Sequence, residues 1–561
     1  MYFCLRGIYY KHDQKYKGGI MRKTVLQGAL GEALMRTVNE RLKKVDYDQL
    51  VEPFKLRNEA DGAWRCEFWG KIVRSAITAA WATGDEALRK MVDKTVQDML
   101  KCQSEDGCIS SYPAEKQLTD WDIWGRKYTL LTLERYYEML NPDPAVLQCC
   151  CRMVDHLMTQ IGEEEGKKSI LKCGWHTGLA SASILGAIVA LWRLSGMDKY
   201  REFARYIINT GCSSDGDIFA CAAAGVVPAA LGNGKAYEMT SCFQGVAELL
   251  MIDGEEDPAA IEMLKKYYRS VVDREIFVTG TGGAKDTWGE YWFDGALRQT
   301  RSDCGGLGET CITATWIRFC MRMLELTGDC RIADELEKSL YNGILGAIAP
   351  DGTHWMHVNP TPLTGNGSKI CADDQIGRGF GTPYGGNDCC RAQGPEGLSV
   401  ASIVAVMENQ GRVCVNFYEK LTSGNLTISG NYPWENQAVI RFSAPEKCIL
   451  ALRTPEFLKS VKLNGKELAF TVGKYLEIDR SWSKEDEIIL EFDFTLKELT
   501  APGDASYIAV KRGPVVLASD SRGIVPGAKI HEQWNGINLC EYASAGNLMD
   551  KSNTLAVWHR K

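Results

Sequence analysis

Five helix breaks constrain this chain more than any other feature. Thr83-Gly84-Asp85, Asn141-Pro142-Asp143, Ser195-Gly196-Met197-Asp198, Asp253-Gly254-Glu255 and Thr327-Gly328-Asp329 punctuate its first 350 residues. Each joins a stop residue to an acidic start. Gly ends a helix in the left-handed conformation, and Asp caps the next one. Gly84, Asn141, Gly196, Gly254 and Gly328 stand 57, 55, 58 and 74 residues apart. Between the breaks, apolar residues recur at the helical period, as in Phe68, Trp69, Ile72, Val73, Ala76, Ile77, Ala80 and Trp81. A unit of about 56 residues with two helices is a helical-hairpin repeat. Such hairpins stack into an open solenoid or close into an (α/α) barrel. The apolar character of alternate helices favours closure, with an inner ring covered by an outer one.

The period changes after about residue 410. Val413–Tyr418, Ala438–Phe442, Val461–Leu463, Tyr475–Ile478, Ile488–Phe494 and Tyr507–Val510 read as short strands. Asn464-Gly465 is a hairpin turn. The expected class is therefore mainly α, then β. A helical barrel domain over 25–410 follows an N-terminal extension (1–24), and a C-terminal β-sandwich covers 411–561. Met21 is a second candidate start. The tail beyond Arg522 is assigned no element.

A net charge of −7 leaves no basic surplus for phosphates, so neither a nucleic acid nor an anionic membrane is an expected partner. No apolar run approaches the length of a membrane span, and residues 1–19 lack the apolar core of a signal peptide. Twenty-one cysteines without a disulfide-like spacing suit a reducing compartment, and the cytoplasm is expected.

Two segments carry candidate chemistry. Gly385 to Pro395 contains Cys389-Cys390 and is so rich in Gly, Asn and Pro that it reads as a loop. Gly308-Glu309-Thr310-Cys311 reads as a helix start. Three thiolates and one carboxylate, from Glu309, Cys311, Cys389 and Cys390, suit a tetrahedral zinc ion. Two other readings stand beside it. Cysteines are common core residues, as Cys149-Cys150-Cys151 within a helical pattern illustrates, and a zinc ion here could be purely structural. The irregular insertion 279–308 holds Glu290 between Trp288 and Trp292, either a carboxylate desolvated beside a sugar-stacking surface or a turn cap under packed aromatics. Glu67, Trp69, Asp122 and His176 put polar groups beside Trp near helix starts. They line one barrel mouth or simply cap helices. His354 and His357 are spaced to alternate on a strand, with one of them facing the pocket.

Several stretches together resemble glycoside hydrolase family 127, the zinc-dependent β-L-arabinofuranosidases with a cysteine nucleophile. They are Gly308-Glu309-Thr310-Cys311, Cys389-Cys390 with Gly394-Pro395-Glu396-Gly397, Trp288-Gly289-Glu290, Glu67-Phe68-Trp69-Gly70-Lys71, Lys235-Ala236-Tyr237-Glu238-Met239 and Tyr507 to Pro514. The resemblance spans residues 60–520. It implies an (α/α)6 barrel followed by β-sandwich modules, and a retaining mechanism. It also implies Zn2+ held by Glu309, Cys311, Cys389 and Cys390, with Cys389 as nucleophile and Glu290 as acid/base. Glu67, Trp69, Asp122, His176, Lys235, Trp288 and His357 would contact substrate. Lys235 stands where the family pattern expects His, so the sugar could be another rare one. The expected partner is a small carbohydrate, with a homodimer compatible. Alternatives are a sugar epimerase or unsaturated uronyl hydrolase on the same barrel, or a non-catalytic carbohydrate-binding protein with structural zinc.

Overall fold

The computed structural model describes residues 22–59, 65–253, 257–283, 289–301, 306–361, 388–546 and 554–561. Six inner helices, α1 (Cys66–Thr83), α2 (Asp122–Met139), α3 (Leu185–Ser195), α4 (Ala236–Ile252), α5 (Thr310–Thr327) and α6 (Cys389–Ser399), form a ring. Each packs on the next, and α6 closes on α1. Glu86–Leu100, Pro144–Gln160, Asp198–Asn209, Pro258–Arg274, Arg331–Lys338 and Ala29–Glu40 cover the ring from outside. The hairpin repeat thus closes into an (α/α)6 barrel.

Composition separates the two layers. In α1 only Thr83 escapes burial, whereas Glu86–Leu100 buries one stripe: Leu88, Val92, Thr95, Val96 and Met99. The breaks end helices as their chemistry requires. Gly84, Gly196 and Gly328 take φ of 72°, 68° and 65°, and Asp85 and Asp143 accept from backbone N–H groups of the following helices. Among the described residues, His176–Ser195 is the one helical stretch apolar and long enough to cross a membrane, and it is mostly buried within the protein.

One local expectation fails. Gly385 to Pro395 reads as a loop, yet Cys389–Ser399 is helical. Asp388 accepts from Arg391 N–H at 2.8 Å and caps it. Burial between α1 and α5 then outweighs weak helix propensity and Pro395. The glycines serve close packing. A Cβ on Gly394 would meet Trp355 Cε3 at 2.3 Å, and one on Gly397 would meet Ile344 Cδ1 at 2.9 Å. Gly394→Ala is therefore expected to cost about 1–3 kcal/mol by overpacking, read as a lower urea midpoint. An unchanged midpoint would show that Trp355 yields freely.

The β region contains two facing sheets. One runs Thr24–Leu26, Leu421–Ser423, Leu426–Ser429, Gln437–Phe442, Glu487–Phe492, Leu458–Leu463, Lys466–Glu467. The other runs Tyr475–Trp482, Glu446–Arg453, Arg412–Val415, Val406–Asn409. Phe442 of the first stacks on Trp482 of the second, centroids 4.9 Å apart. Asn464 and Gly465, with φ of 50° and 80°, make the hairpin turn. A third sheet starts at Leu496–Ala501 and takes in the tail, with Glu532–Trp534, Ile537–Glu541, Leu555–Ala556 and His559–Arg560. The tail gave no sequence signal because its strands are two to five residues long. Buried Arg453 ties sheet to barrel by pairing with Asp334 and with Glu337 at 2.8 Å.

Candidate active site

The ring gathers the N-terminal ends of the inner helices at one mouth. Glu67 is the second residue of α1 and Asp122 the first of α2. Lys235 precedes α4, and Glu309 precedes α5, in which Cys311 is second. Cys389 and Cys390 open α6. Helix N-termini carry partial positive charge, which favours carboxylates and thiolates there.

The donor atoms of Glu309, Cys311, Cys389 and Cys390 all lie within 4.8 Å of one another. Cys389 and Cys390 sulfurs are 3.9 Å apart, and Cys390 Sγ is 3.3 Å from Glu309 Oε1. Ligands of a tetrahedral zinc ion stand roughly 3.3–3.8 Å apart, so this group fits one. Glu309 is set by a two-strand ribbon, Leu307–Glu309 against Val358–Pro360, and by its N–H bond to Gly282 O at 2.9 Å. Of the four, Cys389 alone keeps solvent exposure. Burial pushes the Cys311 and Cys390 thiols up. Contacts from those two sulfurs hold the Cys389 thiol low, with the His357 and Lys71 cations assisting. Burial also pushes Glu309 up to about 8.

His357 adjoins the group. Its Nδ1 is 3.2 Å from Asp388 Oδ2 and its Nε2 is 3.3 Å from Glu309 Oε1. Burial works against its charge, yet Asp388 and Cys389 hold its pKa well up. Asp388, the cap of α6, thus has a second role that sequence reading missed. A carboxylate just before the cysteine pair was its only signal.

Glu290 lies opposite Lys235, whose ammonium donates to Oε2 at 2.6 Å. The segment is docked on the start of α4, with Ala236 N–H donating to Glu290 O at 2.7 Å and Trp292 N–H to Gly234 O at 2.9 Å. Glu67 accepts from Trp124 Nε1 and pairs with the Lys71 ammonium at 3.0 Å. Burial pushes its carboxyl up to about 7. The Lys71 ammonium lies 5.6, 5.1 and 4.9 Å from the Trp124, Tyr128 and Tyr237 ring centroids. This buried floor was not singled out from sequence. The Glu67–Lys71 spacing of four was its readable trace. His176 sits at φ 58° between Trp121 and Tyr291, with centroids 5.6 and 6.4 Å away.

Two predicted contacts are placed elsewhere. Trp69 is fully buried and its indole N–H donates to Thr95 of the outer helix, so it packs the barrel wall. Helical phase turns it away from the mouth that Glu67 faces. Asp122 is occupied by Ser110, Arg126 and the Leu118 N–H, so it fastens the start of α2. Trp288 lies outside the described residues.

An (α/α)6 barrel with thiols, carboxylates and aromatics at one mouth defines a carbohydrate-enzyme architecture. Residues 24–402 match the family model for the β-L-arabinofuranosidase GH127 catalytic domain, and 414–494 match the GH127 middle domain. The non-reducing end β-L-arabinofuranosidase of Bifidobacterium longum subsp. longum is 23% identical over 519 residues, 81% of this chain and 76% of that protein. The structure of a GH127 β-arabinofuranosidase superposes with a TM-score of 0.77 at 18% identity, covering 98% of both chains. That of a GH127 β-L-arabinofuranosidase from Geobacillus stearothermophilus T6 gives 0.73 at 17%, covering 96% and 99%. The chain belongs to glycoside hydrolase family 127, the β-L-arabinofuranosidase family, and is a glycoside hydrolase.

Proposed function

We propose that this chain is a retaining exo-glycosidase that removes terminal β-L-arabinofuranose from plant-derived oligosaccharides. The observation that carries the reading is the half-buried Cys389 among the buried Glu309, Cys311 and Cys390, beside a mouth that also holds Glu290. Glu309, Cys311, Cys389 and Cys390 would hold Zn2+, which favours a thiolate near neutral pH.

Cys389 sulfur attacks the anomeric carbon while the bond to the leaving oxygen breaks, and Glu290 gives that oxygen its proton. The sugar is then a thioglycoside on Cys389. Glu290, now a carboxylate, takes a proton from water as the water oxygen attacks the same carbon and releases the sulfur. Two inversions retain configuration. His357, held by Asp388, orients Glu309, and Tyr291, His176 and Trp121 offer an aromatic side for the sugar. The free state of all described cysteines suits action in the cytoplasm.

The test is a panel of aryl furanosides and pyranosides of both hands, assayed with and without chelator. Release from the β-L-arabinofuranoside is expected, with loss of more than nine-tenths of the rate on chelation and recovery with zinc. Product analysed by NMR at early times should keep the anomeric configuration. Cleavage of a different glycoside only would move the substrate assignment. Chelator-insensitive turnover with about one zinc removed per chain would sink the metal's role.

A further inference from the structure

Lys235 and Glu290 form a closely buried ion pair, their side chains 9% and 13% exposed. An ammonium bound to one carboxylate alone favours that carboxylate's charged form. A general acid, by contrast, must bring a proton to the leaving oxygen. A second carboxylate changes the balance. Glu238 lies three residues beyond Lys235, in the first turn of α4, whose N-cap position Lys235 occupies. It is 1% exposed, and among the described residues neither of its carboxylate oxygens has a hydrogen-bond partner. Burial works against the Lys235 charge, and the carboxylates of Glu238 and Glu290 both support it.

The other groups around Lys235 come from three elements. Glu290 and Tyr291, whose ring centroid is 5.4 Å from Nζ, come from the segment docked on α4. Glu309 faces it from the start of α5 and His176 from the turn before α3. Lys127 of α2 also acts on Glu238; its amine donates to Ser183 Oγ at 3.0 Å and sits 4.2 Å from the Trp124 ring centroid. Burial drives Lys127 toward its neutral form, so it offers Glu238 little compensating charge. Lys235 is the main cation for both carboxylates.

We propose that Glu238 is a positioning residue for glycoside hydrolysis: it shares the Lys235 ammonium, so that Lys235 holds Glu290 in place without monopolising it. Glu290 is thereby aimed by Lys235 yet able to carry the proton that the leaving oxygen needs. Burial pushes the Glu238 carboxyl up to about 7 against the pull of Lys235. The inference rests on the reading of Glu290 as acid/base.

Its test is kcat/KM of the full-length zinc-loaded chain on aryl β-L-arabinofuranosides, from 2,4-dinitrophenyl to unsubstituted phenyl. The variants are Glu238→Gln, Lys235→Met, the double variant and Glu290→Gln. An activated leaving group needs little proton assistance, and a phenol needs much. Glu238→Gln is expected to lose about tenfold or more on the phenyl glycoside and less than about threefold on the dinitrophenyl one. In the Lys235→Met background it is expected to add nothing, because it acts through Lys235. A loss equal across all leaving groups, no loss, or additivity with Lys235→Met would overturn the inference. If Glu238→Gln does not fold, Glu238→Asp, which draws the carboxylate back by one methylene, is judged by the same pattern. If Glu290→Gln itself lacks leaving-group dependence, the acid/base reading fails and this inference falls with it. If Glu290→Gln has that dependence and Glu238→Gln does not, only the inference fails.

Discussion

Cys389→Ser is expected to fold, to hold sugar and to hydrolyse it at least about 10⁴-fold more slowly than the native chain. The sulfur differs from its three companions in two ways. It keeps solvent exposure where Glu309, Cys311 and Cys390 are buried. It is also held toward thiolate by its sulfur neighbours, with His357 and Lys71 assisting. A serine hydroxyl fits the volume, but it ionises far above the working pH and leaves a sugar carbon poorly. Denatured-mass analysis of the native chain after rapid quench should show one pentosyl added at Cys389, absent from the variant. Thermal midpoints of both chains in saturating zinc separate loss of chemistry from loss of fold. Retention of more than about 1% of native kcat/KM by a metal-loaded Cys389→Ser chain would remove Cys389 from the nucleophile role.

The barrel was legible because its punctuation is local. A left-handed glycine followed by a capping acid marks a helix end whatever surrounds it, as at Gly84-Asp85. The four donor residues were picked out mainly by the resemblance of their segments to family 127, since buried cysteines are common in this chain. The helical state of Cys389–Ser399 was not, since it is imposed by neighbours: Asp388 at its start, and Trp355, Ile344 and Ala314 pressed on Gly394 and Gly397. Trp69 illustrates a second limit. Two residues from Glu67, it lies about 200° further round the helix, so adjacency in sequence to a mouth residue turns it outward. Lys127, Tyr128 and Tyr237 join only when α2 and α4 meet inside the ring, and no spacing in the chain relates them. Glu238 was read as part of a family-like segment, without a task. Its task emerges from the absence, among the described residues, of any hydrogen-bond partner in a buried site.

Glu396→Gln is expected to destabilise the chain by about 3–5 kcal/mol, the usual cost of stripping a buried charge of its partner. Glu396 is fully buried and is bonded by Arg74, by Arg318 at 3.3 Å and by Gln393 at 2.6 Å, with Arg135 at 3.9 Å. Burial alone would raise its carboxyl. Arg74, Arg318 and Arg135 overcome that and press it down to about 2. A carboxyl depressed in the folded state contributes stability that is complete above its unfolded value, near 4.5, and is lost as pH falls toward about 2. Urea unfolding of the native chain should therefore weaken steeply between those values, and the variant should lack that part of the slope. The effect reaches the mouth. Glu396 lies two turns along α6 from Cys389, and Gln393 between them accepts from Tyr237 at 3.1 Å, which in turn contacts Tyr128. Removing the charge frees Gln393 and loosens the helix that aims both cysteines, so kcat should fall alongside stability. A variant with native stability at pH 7 would mean that other carboxylates near the ring axis, Glu134 or Glu138, can take over the charge of the three arginines.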